Sequence, residues 1–175
     1  MDLSTYLKVN FSRYKSLAPS AEKIHQLLSN KNVNVINDHI ALRTVNLKHI
    51  SKEVCSDYFL NQGYEINGSY SFEEKKLEAI HLEKVGQPKI FISELKLECF
   101  NSSAQEIIKK TLNTIPDHIS SIQLLNYGRK WSLSFRDYQL VFDQSPYAAW
   151  CLAIGFCPNH FTIDIDSLDG FNSLR

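Results

Sequence analysis

At 175 residues the chain is the size of one domain, or of two small repeats sharing a sheet. Its 19 Lys and Arg balance 19 Asp and Glu, leaving no surplus positive charge to displace phosphate counterions or hold an anionic bilayer. That excludes a nucleic-acid binder and a polybasic membrane-surface protein, while 43% hydrophobic and 22% charged residues match an ordinary folded globular chain.

The elements follow in chain order. Leu3, Leu7, Phe11 and Tyr14 recur at helical spacing, one apolar stripe. Pro19 and Ser20 open a second helix, which Asn30-Lys31-Asn32 closes. From Val33 to Val45 the period changes to that of a strand, with Ile40 and Leu42 on one side and His39, Ala41 and Arg43 on the other. Leu47, Ile50, Val54 and Tyr58 then predict a helix that Gly63 stops. Strands are expected over Tyr64–Phe72, Leu77–Lys84 and Lys89–Leu97.

Further on, Ser103 with Glu106 reads as a capping box for a helix through Ile107, Ile108 and Leu112. Trp131–Phe135 and Tyr138–Phe142 read as a hairpin. Ala148–Phe156 fits either a buried helix or a strand, His160–Asp166 alternates as a strand, and a helix is expected from Leu168. Residues 1–175 are therefore taken as one domain. It has a helical segment at 1–32, a strand–helix–three-strand module at 33–97, a connecting helix and strands at 98–157, and the start of a second module at 158–175.

The four cysteines, at 55, 99, 151 and 157, form no CxxC pair, so a zinc ribbon is not expected. Met1–Lys8 lacks the basic and apolar regions of a signal peptide. The longest nearly apolar run, Ala148–Cys157, is too short to span a bilayer. Reduced thiols and a cytoplasmic setting are the expectation.

One string occurs twice. Asn37-Asp38-His39-Ile40-Ala41-Leu42-Arg43 and Pro158-Asn159-His160-Phe161-Thr162-Ile163-Asp164 each put polar or turn-forming residues before a His, then run apolar, small, apolar, charged. The separation of 121 residues is far beyond a solenoid period and fits a duplicated module. About a pseudo-twofold axis, both histidines would face one cavity. The alternative is a turn-side imidazole bonded to backbone in each copy.

Asn37–Thr44, Phe91-Ile92-Ser93-Glu94-Leu95 and Pro158–Thr162 together resemble the 2-oxoadipate dioxygenase/decarboxylase family. The likeness runs over roughly residues 30 to 170. The resemblance implies an α+β fold of paired βαβββ modules, as in vicinal-oxygen-chelate proteins, here with N-terminal helices and the second module incomplete. It also implies a non-haem Fe(2+) held by His39, His160 and a glutamate expected beyond Arg175, with Arg43 gripping the substrate carboxylate. The implied partners are a small 2-oxo acid such as 2-oxoadipate and dioxygen, and the product is a hydroxy acid one carbon shorter.

Residue chemistry is consistent with that implication. Two imidazoles and a carboxylate suit Fe(II) and leave positions open for substrate and oxygen. A guanidinium fork matches a carboxylate better than an ammonium does. The alternative for Arg43 is a surface residue paired with an acid. Glu94 reads as a structural ion pair or a substitute ligand, His81 as a structural residue, and His25, His49 and His118 as solvated. Asp164 or Asp166 is a candidate to orient His160. Two other functions remain open, a non-catalytic binding module of the same fold and a metal-dependent isomerase or lyase.

Overall fold

The computed structural model describes residues 1–29 and 35–168. Two helices lead, α1 over Leu3–Leu17 and α2 over Pro19–Ser29. Asp2 caps α1 by accepting the Thr5 amide at 2.9 Å, and Pro19 starts α2, where a backbone N–H would have no partner anyway. The stripe that enters the core is turned slightly from the expected one, since Leu3, Tyr6 and Asn10 are the buried residues. Phe11 and Tyr14 instead lie against Phe161, with ring centroids 5.2 and 5.3 Å away. The expected helix stop at 30–32 lies outside the described residues.

A βαβββ unit follows, made of β1 (Asn37–Val45), α3 (Lys52–Asn61), β2 (Glu65–Phe72), β3 (Leu77–Glu83) and β4 (Lys89–Leu95). The sheet order is β2-β3-β4-β1-β5, with β5 at His160–Ile163. β1 runs parallel to β4, and the other neighbours are antiparallel. A parallel pair needs a crossover, and α3 with β2 and β3 supplies it. On one face Ile40, Leu42, Leu82, Ile90 and Ile92 are buried, each contributing about 1.5–3 kcal/mol of burial. α3 packs on this face. It starts at Lys52, later than the apolar spacing suggests, because Ser51 accepts the Val54 amide and caps it there. Gly63 ends it at φ +84°, a conformation open to glycine without strain.

The second half corrects the sequence reading. The expected hairpin over 131–142 is helix α6, Phe135–Phe142. Ser134 accepts the Asp137 amide at 3.0 Å as its cap, and Phe135, Tyr138 and Phe142 recur at helical spacing and stack on one another. The Arg136-Asp137 pair taken for a turn is the first turn of that helix. Residues 98–157 accordingly contribute α4 (Ser102–Leu112), α5 (Ser121–Leu125), α6 and α7 (Pro146–Ile154). Among the described residues their only β pairing is an isolated Gly128–Phe156 bridge. The cap of α4 is Asn101, accepting the Ala104 amide at 2.9 Å, two residues upstream of the predicted box.

α7 resolves the ambiguous apolar run as a buried helix, capped by Ser145 with Pro146 in its first turn. Gly155 ends it at φ +82°, and any Cβ there would collide with the Gly128 carbonyl. The two glycines therefore let Gly128 and Phe156 exchange backbone hydrogen bonds of 2.9 and 3.0 Å, which aims the chain into β5. β5 is shorter than expected, ending at Ile163 rather than Asp166, and the predicted helix after Leu168 lies outside the described residues. No described helix is long and apolar enough to cross a membrane.

Candidate metal and substrate site

β1 and β5 pair antiparallel with Ile40 opposite Phe161 and Ala41 opposite His160. Ile40 and Phe161 each follow the histidine of their own string, so the two strings meet about a local twofold axis. Side chains alternate along a strand, so Phe161 turns toward α1 while His160 and His39 turn to the opposite face. Their Nε2 atoms come within 3.2 Å.

The other ring nitrogens are held from outside. His39 Nδ1 lies 2.7 Å from the Asp38 carboxylate and 3.0 Å from the Thr162 hydroxyl. A carboxylate only accepts, so it selects the Nδ1–H tautomer and leaves the Nε2 lone pair free. His160 Nδ1 lies 2.9 Å from the Asn159 carboxamide nitrogen, while the Asn159 oxygen is buried without a partner. Turning that carboxamide over places the orphaned oxygen on Nδ1–H and frees the second Nε2 lone pair as well. Burial, then the neighbouring His39 and then Arg43, hold the His160 imidazolium below its ordinary pKa, favouring the neutral ring that binds metal.

Two lone pairs facing each other repel unless a cation lies between them. Imidazole nitrogens bound at about 2.1 Å to adjacent positions of one ion stand roughly 3.0 Å apart, close to the spacing seen here. The pair therefore fits a divalent metal. Among the described residues no set of three His, Cys, Asp or Glu side chains converges on such a point. Glu94 is not a third member. It faces the core beside Thr44, where it accepts the Lys52 amide at 2.7 Å and the Lys52 ammonium at 2.9 Å.

Arg43 shares the histidine face and opens onto a cleft of about 780 Å³ lined by Phe91, Ser93, Tyr147, Trp150 and His160. Its guanidinium carbon lies 4.9 Å from the Tyr147 ring centre and 4.8 Å from that of Trp150. Among the described residues it pairs with no carboxylate, unlike the surface ion pair that was the alternative. Tyr147 is itself fixed, donating to the Ser93 carbonyl at 2.7 Å and accepting the Thr44 amide at 3.2 Å. Burial raises its phenol pKa well above the ordinary value. α7 thus holds two aromatic faces against an arginine whose hydrogen-bond donors remain available.

A second hollow of about 470 Å³ adjoins the first, lined by Asp38, His39, Tyr70, His81 and His160 among others. His81, read as structural, does reach this hollow, its Nδ1 2.8 Å from the Tyr70 hydroxyl. His49, expected in solvent, has a side chain only 9% exposed. The orienting groups are Asp38, Thr162 and Asn159 rather than Asp164 or Asp166. Asp38 and Asn159 each precede a histidine, a signal the duplicated string already contained. Tyr147 and Trp150 had none, because their role depends on where α7 packs.

The profile of the 2-oxoadipate dioxygenase/decarboxylase family matches residues 6–174. The chain belongs to this family. It is 29% identical to the 2-oxoadipate dioxygenase/decarboxylase of rice chloroplasts and amyloplasts, over 91% of this chain and 50% of that protein. The Arabidopsis thaliana chloroplast enzyme is also 29% identical, over 75% of this chain and 40% of that one. The chain thus spans half or less of the length of these curated relatives.

Solved structures agree with the family fold. A Shewanella frigidimarina protein provisionally named a hydrolase superposes with a TM-score of 0.92 at 37% identity, covering 99% of this chain and 69% of that one. Rice hydroxyglutarate synthase, in complex with 2-oxoadipate, gives 0.86 at 26%, covering 94% and 58%. A Ralstonia eutropha protein provisionally assigned to the glyoxalase superfamily gives 0.79 at 19% identity over 90% and 60%, a likeness of fold alone. The expected α+β, vicinal-oxygen-chelate-like architecture is the architecture of this chain.

Proposed function

We propose that this chain carries two metal ligands and the substrate anchor of an Fe(II)-dependent dioxygenase that decarboxylates a 2-oxo acid such as 2-oxoadipate. The observation that carries the reading is the pair of Nε2 atoms 3.2 Å apart, each ring fixed through its other nitrogen, beside an Arg43 that meets no carboxylate among the described residues. His39 and His160 would hold the iron, with a carboxylate from outside the described residues as third ligand. Bound there, Fe(II) supplies oxygen activation and a chelating centre for the 2-oxo acid.

The chain's own groups do the rest. Asp38 and Asn159 hold both imidazoles in the metal-binding tautomer. Arg43, kept planar against Tyr147 and Trp150, offers two parallel N–H donors to a carboxylate and sets the register of the acid in the cleft. The apolar walls at Phe91 and Trp150 exclude water, which strengthens that ion pair. The overall conversion, 2-oxoadipate plus dioxygen to 2-hydroxyglutarate plus carbon dioxide, balances without any further reductant. The acid gives up its own electrons as one carbon leaves.

A second reading, a binding module that recognises the acid without turning it over, rests on the absence of a third ligand among the described residues. The test supplies Fe(II), dioxygen and a panel of 2-oxo acids, and follows oxygen uptake with carbon dioxide release. Equal uptake and release with 2-oxoadipate is expected. Bound iron with no uptake for any acid would leave the binding module standing.

A further inference from the structure

We infer that Lys76 is the second anionic anchor of the cleft, so that the site selects a 2-oxo acid carrying a distal carboxylate over one ending in a methyl group. The inference rests on the reading of the cleft as a 2-oxo acid site and adds the residue that reads the far end. It starts from the backbone. Lys76 follows the short 3-10 turn Glu73–Lys75 and has φ 56° and ψ 43°. Among the described residues it is the only one other than glycine at positive φ. A left-handed lysine has no intrinsic preference for that region and persists where its surroundings hold it. They do so here, for the Lys76 amide donates to the Glu73 carbonyl at 3.1 Å and its carbonyl accepts the Lys96 amide at 2.9 Å.

That conformation sends the side chain into the cleft that Arg43 enters from the other side. The Lys76 ammonium lies 4.5 Å from the centre of the Phe100 ring, which also lines the cleft. Among the described residues no carboxylate pairs with it. Lys75 also lines the cleft, but Arg43 and Lys76 are the two cations there laid on aromatic faces, each without an acid among the described residues. Cation–π contact holds a charge in place without consuming its hydrogen-bond donors. Glu74, on the same turn, is exposed at the cleft lip and forms no ion pair with Lys76.

The register gives the span. Arg43 pairs with Ser93, and Ser93 pairs with Ala79, so Arg43 and Ala79 are two strands apart on one face. Lys76 lies three residues before Ala79 along the chain. Spacings of about 4.8 Å per strand and 3.3 Å per residue then put the Arg43 and Lys76 Cα atoms roughly 14 Å apart. Two long side chains reaching toward each other across that distance leave a gap the length of a short dicarboxylate. Leu77, on the floor between them, is apolar and suits a methylene chain. A monocarboxylate of equal length would leave Lys76 unpaired.

The experiment titrates the chain with 2-oxoadipate and with 2-oxohexanoate, the same carbon chain lacking the distal carboxylate, and follows backbone amide shifts by NMR. Wild type is expected to bind the dicarboxylate about fivefold more tightly, the size of one partly exposed ion pair. Lys76→Met should remove that preference while leaving 2-oxohexanoate affinity unchanged, and Lys76→Arg should keep it. Arg43→Ala should weaken both acids alike. If Lys76→Met folds and still prefers 2-oxoadipate as wild type does, the inference is overturned and the cleft reading survives. If wild type binds neither acid, the reading of the cleft fails and Lys76 with it.

Discussion

The two faces of strand β1 make the clearest comparison in the molecule. On one face Ile40, Leu42 and Thr44 are buried, and the buried carboxylate there, Glu94, meets Lys52 through its ammonium and its amide, with Glu78 opposite it sharing the ammonium. On the other face His39, Ala41 and Arg43 border two hollows, and the charge there is left open toward the cleft. The strand alternates every residue, so two environments of opposite logic lie a single side chain apart. On the core face Thr44 and Glu94 both have their partners, the Ile50 carbonyl and Lys52. The cleft face withholds its own, and unmet donors and lone pairs are what a ligand or metal is needed to satisfy.

The largest effect on stability should come from the satisfied face. Glu94→Ala removes the buried partner of the Lys52 ammonium, leaving it only the more exposed Glu78 and Glu53, and should cost about 1.5–3 kcal/mol in denaturant unfolding. Ligand contacts of the cleft should survive in the folded fraction. Arg43→Ala should do the reverse, with little change in unfolding but a loss of about 2 kcal/mol, roughly thirtyfold, in 2-oxo acid affinity measured by calorimetry. If Arg43→Ala unfolded the chain as readily as Glu94→Ala, the contrast between faces would collapse.

Smaller effects sharpen the same contrast. Asn159→Ala removes the group that fixes the His160 ring and should weaken divalent-metal binding by about tenfold, read by metal titration, with the fold intact. Tyr147→Phe removes a hydroxyl that bonds Ser93 and Thr44 and should cost about 1 kcal/mol of stability. Its effect on acid binding should be smaller still, because the ring under Arg43 remains.

What was legible in the sequence follows the same division. Period-two alternation in β1 and β4 and the stop at Gly63 were readable because they are local. The histidine pair was readable because one short string occurs twice, and a duplicated strand pairs with its copy about a twofold axis. The hairpin expected over 131–142 was not. Ser134 caps a helix in which Tyr138, Leu140 and Phe142 also alternate as a strand would, so this short run was open to both readings. Tyr147 and Trp150 gain their role only when Gly128 and Gly155 let α7 close over the sheet, a contact between segments far apart in sequence.

The central claim is that His39 and His160 share one ion. The most direct measurement follows the imidazole Cε1–H resonances of the two histidines while a paramagnetic divalent metal is added in substoichiometric steps. The account predicts that both signals broaden together along one saturation curve of one ion per chain. It also predicts that His39→Ala removes the effect at His160, and His160→Ala the effect at His39. Broadening of His160 with unchanged affinity in the His39→Ala protein would contradict it.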